Sequence, residues 1–305
     1  MTLDEPVTRW VVSRLGSTPA EVFFEASSMS DVWGVRLEDG RRFAVKRRGG
    51  GDRLAIVARA HRAALDAGID APDLVAGPDP LGDDAWLTAE EWRPEGVFTP
   101  DGDAPALYAS LLARIVAALA EVEARGLAPT PWLHYDHRAA ARVWPPASSA
   151  RWDPHRIEPD LPPALAALAR AARSRLEASE LPAVLGHADL NGLNVRWRGD
   201  RAIVHDWDSI VLRPEAVLVG TLALDHPATP DAGAAADIAT GARVLAAYEE
   251  ATGRTLTPDE VEVAWATSVW LACYNAVFEH LHGGPGAVTA AILRDGEERL
   301  ALAGV

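Results

Sequence analysis

The first ninety residues read mainly as strands, in runs rich in β-branched and aromatic residues. Residues 22–27 and 32–37 read this way. Asp39-Gly40 then predicts a two-residue type I′ turn into a third strand over 41–46. Apolar positions then recur at a spacing of three and four. Leu54, Val57, His61 and Leu65 predict a helix over 54–67 that stops at Gly68. Residues 71–75 and 85–88 predict two further strands, so the order is β-β-β-α-β-β.

Beyond Trp92 the pattern is helical. Asp103 caps a helix whose apolar positions are Leu107, Leu111, Ile115, Leu119 and Val122, ending at Gly126. Residues 128–156 are Pro-rich and irregular and hold Trp132, Trp144 and Trp152. Another helix is expected over 163–179. Two later helices open on matched signals, Thr229-Pro230-Asp231 and Thr257-Pro258-Asp259-Glu260. The second is a capping box, and its helix is expected to run to His282 and stop at Gly283-Gly284-Pro285. The fold class predicted is α+β, with a small antiparallel β-sheet region over 1–92 and a larger, mainly helical region over 93–305.

Composition narrows the classes. With 305 residues and 49% hydrophobic, the chain can build a sizeable core. A net charge of −15 argues against nucleic acid or an anionic membrane as partner. The single cysteine, Cys273, excludes an intrachain disulfide and a cysteine-rich zinc site. The segment MTLDEPVTRW lacks the features of a secretory signal, and no apolar run suits a membrane span, so a cytoplasmic monomer or dimer is expected. Of the 29 basic residues 28 are Arg; the one Lys is Lys46. A compact ammonium is not replaced well by a planar guanidinium where a point charge must sit on phosphates.

The candidate chemistry lies between the helices. His187-Ala188-Asp189-Leu190-Asn191-Gly192-Leu193-Asn194 leads into a hairpin with Gly199-Asp200 as a type II′ turn, and Asp206-Trp207-Asp208 follows. Pairing Arg198 with Arg201 sets Asn194 opposite His205, so Asn194 and Asp206 emerge at one end of the hairpin, a residue out of register. An amide oxygen and a carboxylate there suit Mg²⁺ that keeps waters and phosphate oxygens as its other ligands. Asp189, on the loop that feeds the hairpin, can face a hydroxyl beside such a metal.

This arrangement resembles the aminoglycoside phosphotransferase and choline kinase-like family, relatives of the protein kinases. The H-x-D-x-x-x-x-N loop of that family is matched by His187, Asp189 and Asn194, and its hydrophobic-D-W-[DE] strand by Asp206, Trp207 and Asp208. The resemblance implies a two-lobed protein-kinase-like fold and transfer of the γ-phosphate of ATP or GTP, with Mg²⁺, to a small-molecule hydroxyl acceptor. Asp189 is then the catalytic carboxylate, Asn194 and Asp206 the metal ligands, and His187 a structural neighbour. Lys46, with Ser28 and Ser30 of the phosphate-covering turn and the hinge residues Glu91 and Trp92, would bind nucleotide. Asp208, Trp270, Tyr274 and Glu279 are candidates for the acceptor pocket. The acceptor is expected to be an antibiotic of aminoglycoside, peptide, nucleoside or macrolide type. A choline- or homoserine-type metabolite kinase and a silent pseudokinase are the alternatives. The latter arises from two departures: Arg53 to Leu65 contains no acid to pair with Lys46, with Val57 where one would fall and Asp52 or Glu25 as substitutes, and the phosphate-covering turn Ser27-Ser28-Met29-Ser30-Asp31 lacks glycine.

Overall fold

The computed structural model describes residues 3–27, 30–82, 84–139, 142–146, 153–230, 235–284 and 286–305. Ser28, Trp152, Asp231 and Pro285, each assigned a part above, lie outside these. The chain divides into two compact units. One comprises residues 1–96, 121–127 and 203–208; the other comprises 97–120, 128–202 and 209–305.

The first unit is built on a five-stranded antiparallel sheet of order β1-β2-β3-β5-β4. Its strands are β1 (Pro19–Ser27), β2 (Asp31–Leu37), β3 (Arg42–Arg48), β4 (Leu74–Leu81) and β5 (Ala85–Glu91). The period-two pattern sorts the residues by face. Trp33, Val35, Phe43, Val45, Leu87 and Ala89 form the core with Val7, Trp10, Val11 and Leu15 of α1 (Glu5–Leu15). Ala44, Lys46, Arg48, Thr88 and Glu90 alternate with them and point to the other face, with Lys46 opposite Thr88 in the ladder. Helix α2 (Gly51–Asp66) buries Leu54, Ile56, Val57, Ala58, Ala60, His61 and Ala64.

The turn from β2 to β3 is not the two-residue type I′ expected. That type needs positive φ at both central residues, and here Gly40 has φ 87° while Asp206 is the one non-glycine residue with positive φ among those described. Gly40 N–H donates to the Leu37 carbonyl (3.0 Å) and Leu37 N–H to the Arg41 carbonyl (2.9 Å). The Asp39 carboxylate accepts from Arg41 N–H (3.0 Å). The loop therefore has three residues, a type I-like turn closed by a left-handed glycine.

The second unit is mainly helical: α3 (Ala104–Leu119), α4 (Pro163–Glu177), α5 (Glu215–Asp225), α6 (Ile238–Thr252), α7 (Pro258–His282) and α8 (Ala287–Leu302). Helix α7 has the expected capping box at Thr257 and Glu260 and the expected stop at Gly283. Helix α3 ends earlier than expected, at Leu119. The helix anticipated from Thr229 begins instead at Ile238, where the Asp237 carboxylate caps Thr240 N–H at 2.7 Å. Strand β6 (Ala183–His187) pairs with β9 (Ile210–Pro214). Strands β7 (Val195–Arg198) and β8 (Arg201–Val204) form a second two-stranded sheet across a two-residue loop, with Gly199 at φ 65° as a type II′ turn requires. No helix among the described residues is long and apolar enough to cross a membrane.

Candidate active site

In the first unit the polar face of the sheet carries a ladder of paired charges. Lys46 Nζ lies 2.9 Å from Glu90 Oε2 and 3.5 Å from Asp206 Oδ1. Lys46 and Glu90 are both buried. The acid that holds Lys46 therefore comes from the neighbouring strand, and neither Asp52 nor Glu25 is needed. Lys46 faces Thr88, so Glu90, two residues further along β5, is its diagonal neighbour on the same face. Opposite Glu90 stands the small Ala44, which leaves room for the pair. Burial opposes both charges, but each outweighs it for the other: Glu90 is held below the ordinary carboxylate range and Lys46 above the ordinary amine range.

Asp206 follows β8 in the left-handed region, with φ 56°. A non-glycine residue held there stores backbone strain, a feature that clusters at functional sites. Trp207 is buried and locks this turn, its indole N–H donating to the Val204 carbonyl (3.0 Å) and its ring stacking on His61 of α2 at 5.0 Å and 7°. Asp208 does not share a strand with Asp206. It sits in a 3-10 turn, Trp207–Ser209, pairs with Arg48, and its carbonyl accepts from Arg53 (2.6 Å). Asp208 thus belongs to the charge ladder of this unit. Burial and the neighbouring Asp208 carboxylate raise the Asp206 carboxyl. Arg48 overcomes burial to hold Asp208 far below its usual value.

Of the other nucleotide candidates, Ser30 borders an open depression of about 240 Å³ with Asp31, Arg47, Arg48, Gly49, Asp84 and Ala85. The hinge residues Glu91 and Trp92 already use their amides: Glu91 N–H donates to the Asp73 carbonyl (2.9 Å) and Trp92 N–H to the Arg42 carbonyl (3.2 Å). A base would have to bind elsewhere on this segment than at those two N–H groups. The Trp92 ring packs edge-on to Phe23 at 4.9 Å.

The second unit holds the catalytic-loop candidates. His187 is buried at the end of β6, and its Nδ1 accepts Asp189 N–H (3.2 Å), which sets the start of the loop. The Asn194 amide nitrogen donates to Asp189 twice, to Oδ2 at 2.6 Å and to the main-chain oxygen at 3.0 Å. Both its hydrogens are thereby used, and the amide oxygen is the group left to offer a cation. A carboxylate and an amide oxygen are hard donors that fit Mg²⁺. No cluster of three or more His, Cys, Asp or Glu side chains placed to hold a metal occurs among the described residues, so water and phosphate oxygens would complete such a shell.

A partner unforeseen from the sequence is Asn191. It is buried, and its amide nitrogen bridges Asp189 Oδ1 (2.7 Å) and Asp225 Oδ2 (2.6 Å). Asn275, on α7, reaches the other Asp225 oxygen at 3.4 Å. Composition held a signal for this: the chain has three Asn and no Gln, and all three carboxamides meet here.

The remaining acceptor candidates on α7 have partners within the protein. Trp270 and Tyr274 are buried in the helical core. The Trp270 indole N–H donates to the Trp132 carbonyl (2.8 Å), and its ring packs 6.0 Å from Trp144. The Glu279 carboxylate accepts the N–H groups of Val288 (2.9 Å) and Thr289 (2.8 Å), capping α8. Arg173 donates to the carbonyls of His137 (2.6 Å) and Arg142 (2.9 Å).

The sequence matches no family model. It also matches no curated protein. Solved structures do match, over nearly the whole chain. An amicoumacin kinase in complex with AMP-PNP, Ca²⁺ and its ligand superposes with a TM-score of 0.65 at 14% identity, covering 98% of this chain and 94% of the other. A thermostable mutant of an aminoglycoside phosphotransferase, in a ternary complex with ADP and hygromycin B, gives 0.60 at 14% identity, over 98% and 99%. A macrolide 2′-phosphotransferase from Brachybacterium faecium gives 0.54 at 17% identity, over 98% of both. This chain has the aminoglycoside phosphotransferase fold. The small antiparallel sheet and the mainly helical unit are the two parts of that kinase-like fold, as the resemblance implied.

Proposed function

We propose that the chain is a small-molecule O-phosphotransferase that moves the γ-phosphate of ATP or GTP to a hydroxyl of an antibiotic, and so confers resistance. The observation that carries the reading is the grip of Asn194 on Asp189, which fixes a carboxylate and turns an amide oxygen outward on one loop. The kinase-like fold, shared with phosphotransferases of antibiotics, supports it.

In this reading an acceptor oxygen forms a bond to the γ-phosphorus while the bond from that phosphorus to the bridging oxygen of the nucleotide breaks. The transition state is loose, so the protein mainly positions groups and offsets charge. Asp189 takes the hydroxyl proton, which becomes acidic only as the new O–P bond forms, so an ordinary carboxylate suffices. Lys46, held ready by Glu90, steadies the α- and β-phosphates. Mg²⁺, held by Asn194 and Asp206, would offset the charge of the phosphate oxygens. Glu90 supports this reading over the pseudokinase alternative, since it gives Lys46 the acid that Arg53 to Leu65 lacks.

The test is a Mg²⁺-dependent assay of ATP and GTP consumption against a panel of antibiotics and amino-alcohols, followed by expression in a sensitive host. The reading predicts turnover stimulated by one antibiotic class and a raised inhibitory concentration for it. Nucleotide binding with no phosphorylated product from any acceptor would contradict it. Turnover with choline-like or homoserine-like alcohols alone would move the acceptor to metabolism.

A further inference from the structure

The catalytic-loop candidates do not stand alone. Asn191 has each polar atom engaged: its amide oxygen accepts Leu193 N–H (2.9 Å), and its nitrogen donates to both Asp189 and Asp225. Buried and fully used, it has no group left for a ligand. Asp225, at the end of α5, is in turn reached by Asn275 from the middle of α7. Two helices thus reach the Asp189 carboxylate through one amide. The loop is also pressed against the segment after α5. Gly192 N–H donates to the Ala228 carbonyl (2.8 Å), and a Cβ at Gly192 would lie 2.7 Å from that oxygen and 2.9 Å from the Phe98 carbonyl.

The choice of amide has a physical reason. Elsewhere this chain binds carboxylates with arginine, as at Asp136, Asp208 and Glu262. A guanidinium beside Asp189 would stabilise its charge and weaken it as a proton acceptor. A carboxamide orients the oxygen with little such penalty, because it adds no charge. Among the described residues no Arg, Lys or His hydrogen-bonds or ion-pairs with Asp225, and its carboxyl is pushed up to about 6 by burial, against the Asn191 bond.

We infer that Asn191 is a positioning residue, a neutral clamp that fixes the Asp189 carboxylate by anchoring it to Asp225. The inference rests on the role proposed for Asp189. With Asn191 and Asn194 on separate oxygens, the carboxylate plane is set from both sides. Removing one side leaves the group able to rotate, and misplacement on the ångström scale costs about 10²-fold in rate.

Two measurements on the full chain test this. The three Asn and absent Gln give three side-chain NH₂ pairs in an amide NMR spectrum. The Asn191 pair is expected to be protected from exchange in the wild type, to lose protection in Asp225→Ala and to keep it in Asp225→Asn, whose oxygen still accepts. An Asn191 pair that exchanges as freely as in unfolded chain overturns the clamp. Kinetically, Asn191→Ala is expected to lower kcat by about 10²-fold while the nucleotide KM stays within about 3-fold, since positioning acts on the reacting hydroxyl and not on phosphate binding. Asp225→Ala is expected to follow it, with Asp225→Asn recovering most of the loss. Normal turnover in Asn191→Ala refutes the clamp and spares the proposed function. Joint loss of turnover and nucleotide binding shows a structural role instead and also refutes it. A protected Asn191 pair in a wild-type chain that transfers nothing refutes the proposed function, and with it the catalytic sense of the clamp.

Discussion

The two units hold their functional carboxylates by opposite means. On the sheet face of the first, each acid meets a cation: Glu90 and Asp206 meet Lys46, and Asp208 meets Arg48. In the second, Asp189 and Asp225 are held by carboxamides. The contrast follows from the work proposed for each. A lysine that must stay charged and extended toward phosphates gains from a buried counter-charge. A carboxylate that must take a proton gains from donors that bring no charge. The Arg-rich composition sharpens the point, because the chain departs from arginine in both places: once for its sole lysine and once for its three amides.

The largest effect that would break this comparison is expected at Glu90. Glu90→Gln leaves the buried Lys46 with Asp206 at 3.5 Å as its main counter-charge. Breaking a buried pair in this way costs about 3 kcal/mol or more of stability, and the nucleotide KM should rise about tenfold or more, as one lost interaction of 1.4 kcal/mol implies. Val57 lines the same small cavity as Glu90. Val57→Glu in the Glu90→Gln background should therefore recover part of the nucleotide binding, and failure to recover any would place the anchor elsewhere. Urea unfolding and nucleotide titration read both outcomes.

Gly192→Ala comes next. The new methyl would meet two carbonyl oxygens of fixed backbone, which gives overpacking of about 1–3 kcal/mol. A drop in melting temperature together with lost turnover is expected, and unchanged stability would show that the loop has room to move.

The smallest effect sharpens the comparison through pH. The Asp225 carboxyl, raised to about 6, binds its proton more tightly in the folded chain than in the unfolded one. Its contribution to stability is complete below about pH 4 and is lost as pH rises through about 6. Asp225→Asn, which cannot ionise, should therefore be more stable than the wild type above pH 7, by about 1–2 kcal/mol, with no advantage below pH 4. Melting curves from pH 4 to 8 check this. A carboxylate neutralised by a cation would show the opposite trend.

Much of this architecture is legible locally. β-rich runs and the Asp39-Gly40 turn signal mark the strands around Lys46, and the capping box marks the start of α7. What escaped the reading did so for particular reasons. Helix α5 is buried along its whole length from Ala216 to Leu224, so it shows no amphipathic spacing to detect. Helix α8 follows a glycine with no side-chain cap of its own, and its leading amides are held by Glu279 from another helix. Helix α1 carries local marks, an Asp4 cap and Pro6, but it is short and stands next to a strand-rich stretch. For the site, the H-x-D-x-x-x-x-N spacing brought Asp189 and Asn194 to one loop. Glu90 needed the β3–β5 register, which no local pattern supplies. Asp225 and Asn275 lie 34 and 84 residues beyond Asn191, so only the tertiary fold brings them to it. The scarcity of carboxamides marked those residues without saying where they meet.

The central claim is that Asp189 is the proton acceptor of a phosphoryl transfer, and one paired measurement tests it most directly. Wild type and Asp189→Asn are compared for Mg²⁺-dependent γ-phosphate transfer to the acceptor that stimulates turnover, alongside nucleotide binding in the same buffer. Asparagine keeps the shape and one oxygen, for either the Asn191 or the Asn194 donor, but cannot take the proton. The account predicts that transfer falls by about 10²-fold or more, the usual scale of general-base catalysis, while nucleotide affinity is nearly unchanged. Transfer at the wild-type rate in Asp189→Asn would contradict it.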